Sequence, residues 1–145
     1  MNMKVMLVSS DDNFIAQTRR VLDAEVQLIV CHEVEQSDFL PVGPDIFILD
    51  LDEEKVIRKD FKAILDIKCL SEAPILVRVE KAKILDVLEV LALGALDIME
   101  NPVKDDEYRK KVKEFYKWGW YFSWLKKQNL YDNETNRQSF KKPSK

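Results

Sequence analysis

The sequence predicts an α/β chain: a doubly wound sheet of five parallel strands with helices on both faces. Three observations lead there. Short apolar runs and helix-periodic segments alternate five times along the 145 residues. The run Ile46-Phe47-Ile48-Leu49 is unbroken, opened by Pro44-Asp45 and closed by Asp50, as a central strand buried on both faces requires. Hydrophobic residues make up 46% of the chain, with only 3 glycines and 5 prolines, so one domain with a filled core fits and linker-dominated or collagen-like architectures do not.

Taken in order, Lys4 to Val8 is the first strand. Ser9-Ser10-Asp11-Asp12 follows, a loop whose side-chain oxygens suit the free amides of a helix start. Phe14, Ile15, Thr18, Val21 and Leu22 recur at helical spacing and predict a helix from about Asp12 to Asp23. Val26 to Cys31 is the second strand, and Glu33 to Gly43 a connection with room for a short helix. Ile46 to Asp50 is the third strand. Val56, Ile57, Phe61, Ile64, Leu65 and Ile67 then predict one helix from Glu54 to about Leu70. Pro74 opens strand Ile75–Val79, and the helix after it, Ile84 to Ala92, is stopped by Gly94. Ala95 to Met99 is the fifth strand. Pro102 starts the last helix, with Asp105, Asp106 and Glu107 placed where the helix dipole favours acids. Residues 1–128 read as one domain and 129–145 as a polar tail with too few apolar residues to order itself.

The net charge of −3 hides an asymmetry. Residues 1–108 carry 12 Lys and Arg against 23 Asp and Glu, whereas residues 109–145 carry 11 against 3. An acidic body with a basic end bears on partners, not on fold. Cys31 and Cys69 stand far apart without CxxC spacing and are expected as buried thiols. His32 is the sole histidine and has no second ligand at metal spacing. No apolar run approaches a membrane span, and Met1-Asn2-Met3-Lys4 is not a signal peptide, so a cytoplasmic protein is expected.

Lys4-Val5-Met6-Leu7-Val8 with its acidic loop, Pro44-Asp45-Ile46-Phe47-Ile48-Leu49-Asp50, Ala73-Pro74-Ile75-Leu76-Val77 and above all Ala92-Leu93-Gly94-Ala95-Leu96-Asp97-Ile98-Met99-Glu100-Asn101-Pro102-Val103 resemble the receiver domain of bacterial response regulators. The resemblance covers roughly residues 4 to 125 and implies strand order 2-1-3-4-5. A working receiver binds Mg²⁺ through an acidic pair and a strand-three Asp that accepts a phosphoryl group; a Thr or Ser and a Lys neutralise the transferred charge. Carried over residue by residue, Asp50 takes the phospho-acceptor position. The acidic pair falls on Ser9 and Ser10, the hydroxyl on Val79 and the lysine on Asn101, while Asp11 and Asp52 stand nearby. Asn101–Pro102 falls on a peptide bond that is typically cis in the family. One of five chemical groups is kept. The resemblance therefore implies an atypical, degenerate receiver, non-enzymatic and read by protein partners without a phosphate. No cofactor is expected. Mg²⁺ belongs here only if phosphorylation is retained, and Asp11 with Asp50 makes a weak metal site. The alternative is a receiver phosphorylated at Asp50 by a histidine kinase. A flavodoxin-type cofactor loop is disfavoured, because Ser9-Ser10-Asp11-Asp12 has no glycine and two carboxylates.

The last helix has one face for the sheet, Val112, Phe115 or Tyr116, Gly119 and Phe122. Trp118, Trp120, Tyr121 and Trp124 go round it and are candidate interface residues. A homodimer through the face of helix 84–92, the fifth strand and the last helix is the expected assembly. Neither nucleic acid nor membrane is the expected partner: the lysines read as a solvated face, and the acidic body repels polyanions.

Overall fold

The computed structural model describes residues 3–34 and 43–141, with side chains of the last helix described as far as Gln128 apart from Ser123 and Lys126. The elements follow in the order β1 (Lys4–Val8), α1 (Asp12–Val21), β2 (Gln27–Cys31), β3 (Ile46–Leu51), α2 (Glu53–Ile57), α3 (Lys62–Leu70), β4 (Ile75–Val79), α4 (Ile84–Leu93), β5 (Asp97–Glu100) and α5 (Asp105–Lys141). The strands form one parallel sheet in the order β2-β1-β3-β4-β5, as the sequence predicts. The chain turns opposite ways from β1 and from β3, so their carboxyl ends part and leave a crevice.

Period-two alternation divides the central strands between two cores. Val5, Leu7, Ile46, Ile48 and Leu76 meet Phe14 of α1 and Tyr108, Val112 and Phe115 of α5. Met6, Phe47, Leu49, Val77 and Val79 meet Val56, Phe61, Ile64, Ile67 and Val90 on the other side. All six residues of β3 are buried, which is why its sequence is continuously apolar up to Asp50.

Four sequence expectations are corrected. The helix predicted from Glu54 to Leu70 is two helices, α2 and α3, broken at Lys59, whose φ is +56°. A straight helix would carry Phe61 about 140° round from Val56; the break lets both reach the same core. Cys69 is exposed and Cys31 half-buried, and neither is in a disulfide. The helix α5 continues to Lys141, over a backbone read from sequence as tail: no glycine or proline interrupts residues 120–142, and an established helix propagates cheaply. The side chain of Val79 lies in the α2–α4 core rather than at the crevice. The short helix allowed between Glu33 and Gly43 falls largely on residues 35–42, and the polar end on 142–145; both lie outside the described residues. No described helix is long and apolar enough to cross a membrane.

Gly119 lets α5 lie close on the sheet edge: a Cβ there would sit 3.3 Å from the Asp45 carbonyl oxygen and 3.3 Å from Ile46 Cγ1. Gly94 closes α4 at φ +128°, a conformation that favours glycine.

Candidate functional site

The crevice at the carboxyl ends of β1, β3 and β4 holds one guanidinium. Arg78 lies on β4 directly opposite Asp50 in register, so both side chains emerge on the α1–α5 side. Arg78 and Asp50 are 4% and 6% exposed; a buried pair persists only if each partner is fully engaged. Here they are. Arg78 Nε donates to Asp50 Oδ1 at 2.9 Å and Nη2 to Asp50 Oδ2 at 2.9 Å, a two-pronged clamp. Nη2 also donates to Asp11 Oδ2 at 2.9 Å, and Nη1 to Asn101 Oδ1 at 3.2 Å. The Arg78 Cζ sits 4.0 Å from the centroid of the Phe14 ring, adding a cation–π contact. Burial works against the guanidinium's charge, but hydrogen bonds and charge from Asp50 and then Asp11 outweigh it and raise its pKa. The Arg78 hydrogen bond in turn is the main reason the Asp11 carboxyl titrates below its ordinary range.

Each remaining position follows from local structure. The Ser9 hydroxyl donates to Asp50 Oδ2 at 2.7 Å and accepts from the Asp11 amide at 3.1 Å. Asp11 is the N-cap of α1, its Oδ1 accepting from the amides of Asn13 and Phe14, so its other oxygen is aimed at Arg78. Phe14 is stacked on Tyr108 at 5.4 Å between centroids, and the Tyr108 hydroxyl pairs with Thr18 Oγ1 at 2.6 Å. The floor beneath the guanidinium is therefore fixed by α1 and α5. Asn101 donates through Nδ2 to Glu80 Oε1 at 3.3 Å, and its peptide bond to Pro102 is cis.

Of the residues singled out from sequence, Asp50, Ser9, Asp11 and Asn101 are thus brought together. Ser10 is exposed and points to no partner described here. Asp52 caps α2, accepting from the Lys55 amide at 2.9 Å. Val79 turns away. Arg78 was missed, although its signal stood in the sequence: a single arginine inside the apolar strand Ile-Leu-Val-Arg-Val demands a buried counter-charge. Two opposite charges near the carboxyl ends of successive strands could have paired it with Asp50.

The residues present do not fit a Mg²⁺ ion. Both oxygens of Asp50 are bonded to a cation, which would repel a second one. Among the described residues no group of three or more His, Cys, Asp or Glu is arranged to hold a metal.

No family model and no curated protein matches the sequence. Solved structures do. A CheY-like response regulator protein from Mesorhizobium loti superposes with a TM-score of 0.61 at 22% identity, over 79% of this chain and 99% of that one. A response regulator from Thermotoga maritima gives 0.66 at 14% identity over 79% and 98%. NtrX from Brucella abortus gives 0.70 at 15% identity over 88% of this chain and 29% of its own. The chain has the CheY-like receiver fold. Within that fold the carboxyl edge of the sheet, where Asp50, Asp11 and Arg78 meet, is the functional edge of open α/β sheets.

The candidate interface residues lie elsewhere on the receiver fold. Trp118, Trp120, Tyr121 and Trp124 of α5 are 44%, 56%, 42% and 44% exposed. Three of them touch, with Tyr121 and Trp124 stacked at 6.3 Å and Trp118 edge-on to Tyr121 at 6.0 Å.

Proposed function

We propose that this protein is an atypical receiver-fold signalling module that works through protein contacts, in the cytoplasm, without phosphorylation of Asp50. One observation carries the proposal: Arg78 holds both carboxylate oxygens of Asp50. The nucleophile of an acyl phosphate must offer one of those oxygens to phosphorus, with a divalent ion neutralising the transferred group. Arg78 takes the charge that a metal would supply and occupies the oxygen that would attack. Asn101 cannot replace a lysine, since its oxygen accepts from Arg78 and its nitrogen is turned to Glu80. Exposed apolar groups supply the protein-contact half of the reading: Ile84, Leu85 and Leu88 of α4 are 75%, 73% and 55% exposed, more than scattered surface leucines require.

The test is incubation of the whole protein with Mg²⁺ and acetyl phosphate or beryllofluoride. Intact mass and amide NMR read the outcome, with Asp50→Asn as control. The expected result is no adduct and no shift at Ser9, Asp50 or Asn101. An adduct that Asp50→Asn abolishes would overturn the proposal in favour of a receiver phosphorylated by a histidine kinase.

A further inference from the structure

The helix α5 runs 37 residues, about 55 Å at 1.5 Å per residue, several times the span of the five-residue strands it covers. Its body-facing side is Tyr108, Val112, Phe115 and Gly119, all buried. Helical spacing of 100° per residue puts Lys110, Lys113, Lys117, Tyr121, Trp124 and Gln128 on the opposite side, with Trp120 beside them. All are exposed except Tyr121's and Trp124's shared contact faces. A soluble chain that turns a tryptophan-centred strip directly away from its own core leaves an unpartnered interface.

The strip has an internal symmetry. Positions 117 and 124, 113 and 128, and 110 and 131 are placed evenly about the midpoint between Trp120 and Tyr121. Before the midpoint the strip carries lysines; after it come Trp124, Gln128 and, in sequence spacing, Tyr131, none charged. Two such helices side by side and parallel would set Lys113 on Lys113 and Lys117 on Lys117. Antiparallel, every pairing improves: Lys117 meets an indole, Lys113 meets an amide, and aromatic meets aromatic at the centre. The same arrangement opposes the helix dipoles. Because the strip lies opposite the body-facing side, the two bodies fall on the outer flanks of the pair and do not collide.

We propose that the outward face of α5 is a self-association surface whose occupant is the same face of a second copy, antiparallel about a two-fold axis between Trp120 and Tyr121. An isologous patch of this kind closes on itself as a dimer. The surface is separate from the Arg78–Asp50 crevice, so its fate does not depend on the phosphorylation result.

The experiment is sedimentation velocity on the whole chain over a concentration series up to about 200 µM, with an orientation test by cysteine cross-linking. Wild type is expected as a dimer. Trp120→Ala with Trp124→Ala is expected to raise the dissociation constant at least ~100-fold with the circular dichroism of the fold unchanged. In a Cys31→Ser, Cys69→Ser background, Lys113→Cys and Gln128→Cys proteins are expected to cross-link when mixed and neither alone. Cross-linking of each variant to itself would overturn the antiparallel arrangement. A monomer throughout the series would overturn the surface, including one that co-sediments with phosphatidylserine vesicles. So would a dimer that survives the tryptophan changes and is broken instead by Leu88→Asp, which would place the contact on α4.

Discussion

Arg78 is where burial and charge meet. Removing it as Arg78→Ala leaves Asp50 buried with Ser9 as its remaining side-chain partner among the described residues. Breaking a buried pair from one side costs about 3–5 kcal/mol, so the unfolding free energy from urea denaturation should fall by that amount at an unchanged slope. The vacated space faces two carboxylates, Asp11 and Asp50. Millimolar Mg²⁺ or Mn²⁺ should therefore raise the melting temperature of Arg78→Ala and leave wild type where it is, as read by differential scanning fluorimetry. The acid side of the stability curve is also set by single residues. Asp105 is held down to about 2, first by its Arg20 hydrogen bond and then by Gln17, and Asp11 is lowered by Arg78. Both carboxyls are depressed in the fold. Their contribution is present above the ordinary carboxylate range near 3.8 and is lost as pH falls through the folded values. Carboxyl NMR titration should find Asp105 still ionised at pH 3, and stability should drain between about pH 4 and 2.

At the scale of elements, α5 is positioned by its one glycine and its first turn. Gly119→Leu drives a branched side chain into the Asp45 carbonyl and Ile46. Overpacking of this kind costs about 1–3 kcal/mol, and thermal denaturation should show the drop. The start of the helix is tied to α1 by Gln17, which donates to the Val103 carbonyl oxygen at 2.6 Å and to Asp105 at 3.0 Å, and by the Arg20–Asp105 pair. The break between α2 and α3 is held in the same manner. Lys59, at positive φ, is paired with the buried Asp86, whose other oxygen accepts from the Lys83 amide at the start of α4. Asp86→Ala removes the acceptor of the Lys83 amide and leaves Lys59 without this partner, so a loss of about 1–2 kcal/mol is expected in urea unfolding.

For the whole molecule, one sheet is shared by two cores, and neither stands without it. Ile48→Ala on the α1–α5 side and Leu49→Ala on the α2–α4 side should each cost about 2–5 kcal/mol. Both should shift the same single transition when far-UV circular dichroism is followed in urea; two separated transitions would show that the cores unfold apart. The fold class was legible because its signal is periodic and local: Ile46–Leu49 reads as a doubly buried strand, Ser9–Asp12 as a capping loop, Gly94 as a helix stop, and five alternations as a doubly wound parallel sheet, while the strand order came from the resemblance to receiver domains. Asp50, Ser9, Asp11 and Asn101 were legible as members of one edge, because strand ends of a parallel sheet share an edge whatever the side chains do. The hub of that edge was not read. Arg78 looked like one residue of a strand, and only the register of β4 on β3 puts its guanidinium against Asp50 and turns Val79 into the opposite core. A one-residue difference in parity decides which face a side chain serves, and parity between strands is fixed by tertiary pairing. The break at Lys59 likewise depends on a core that α2 and α3 must both reach. The sequence by itself determined the five strands, the order of the elements along the chain, and that Ser9, Asp11, Asp50 and Asn101 belong to the sheet's carboxyl edge. The tertiary structure alone decided that a buried arginine closes that edge, since the pairing of β4 on β3 sets which face Arg78 serves, and spacing along the chain does not.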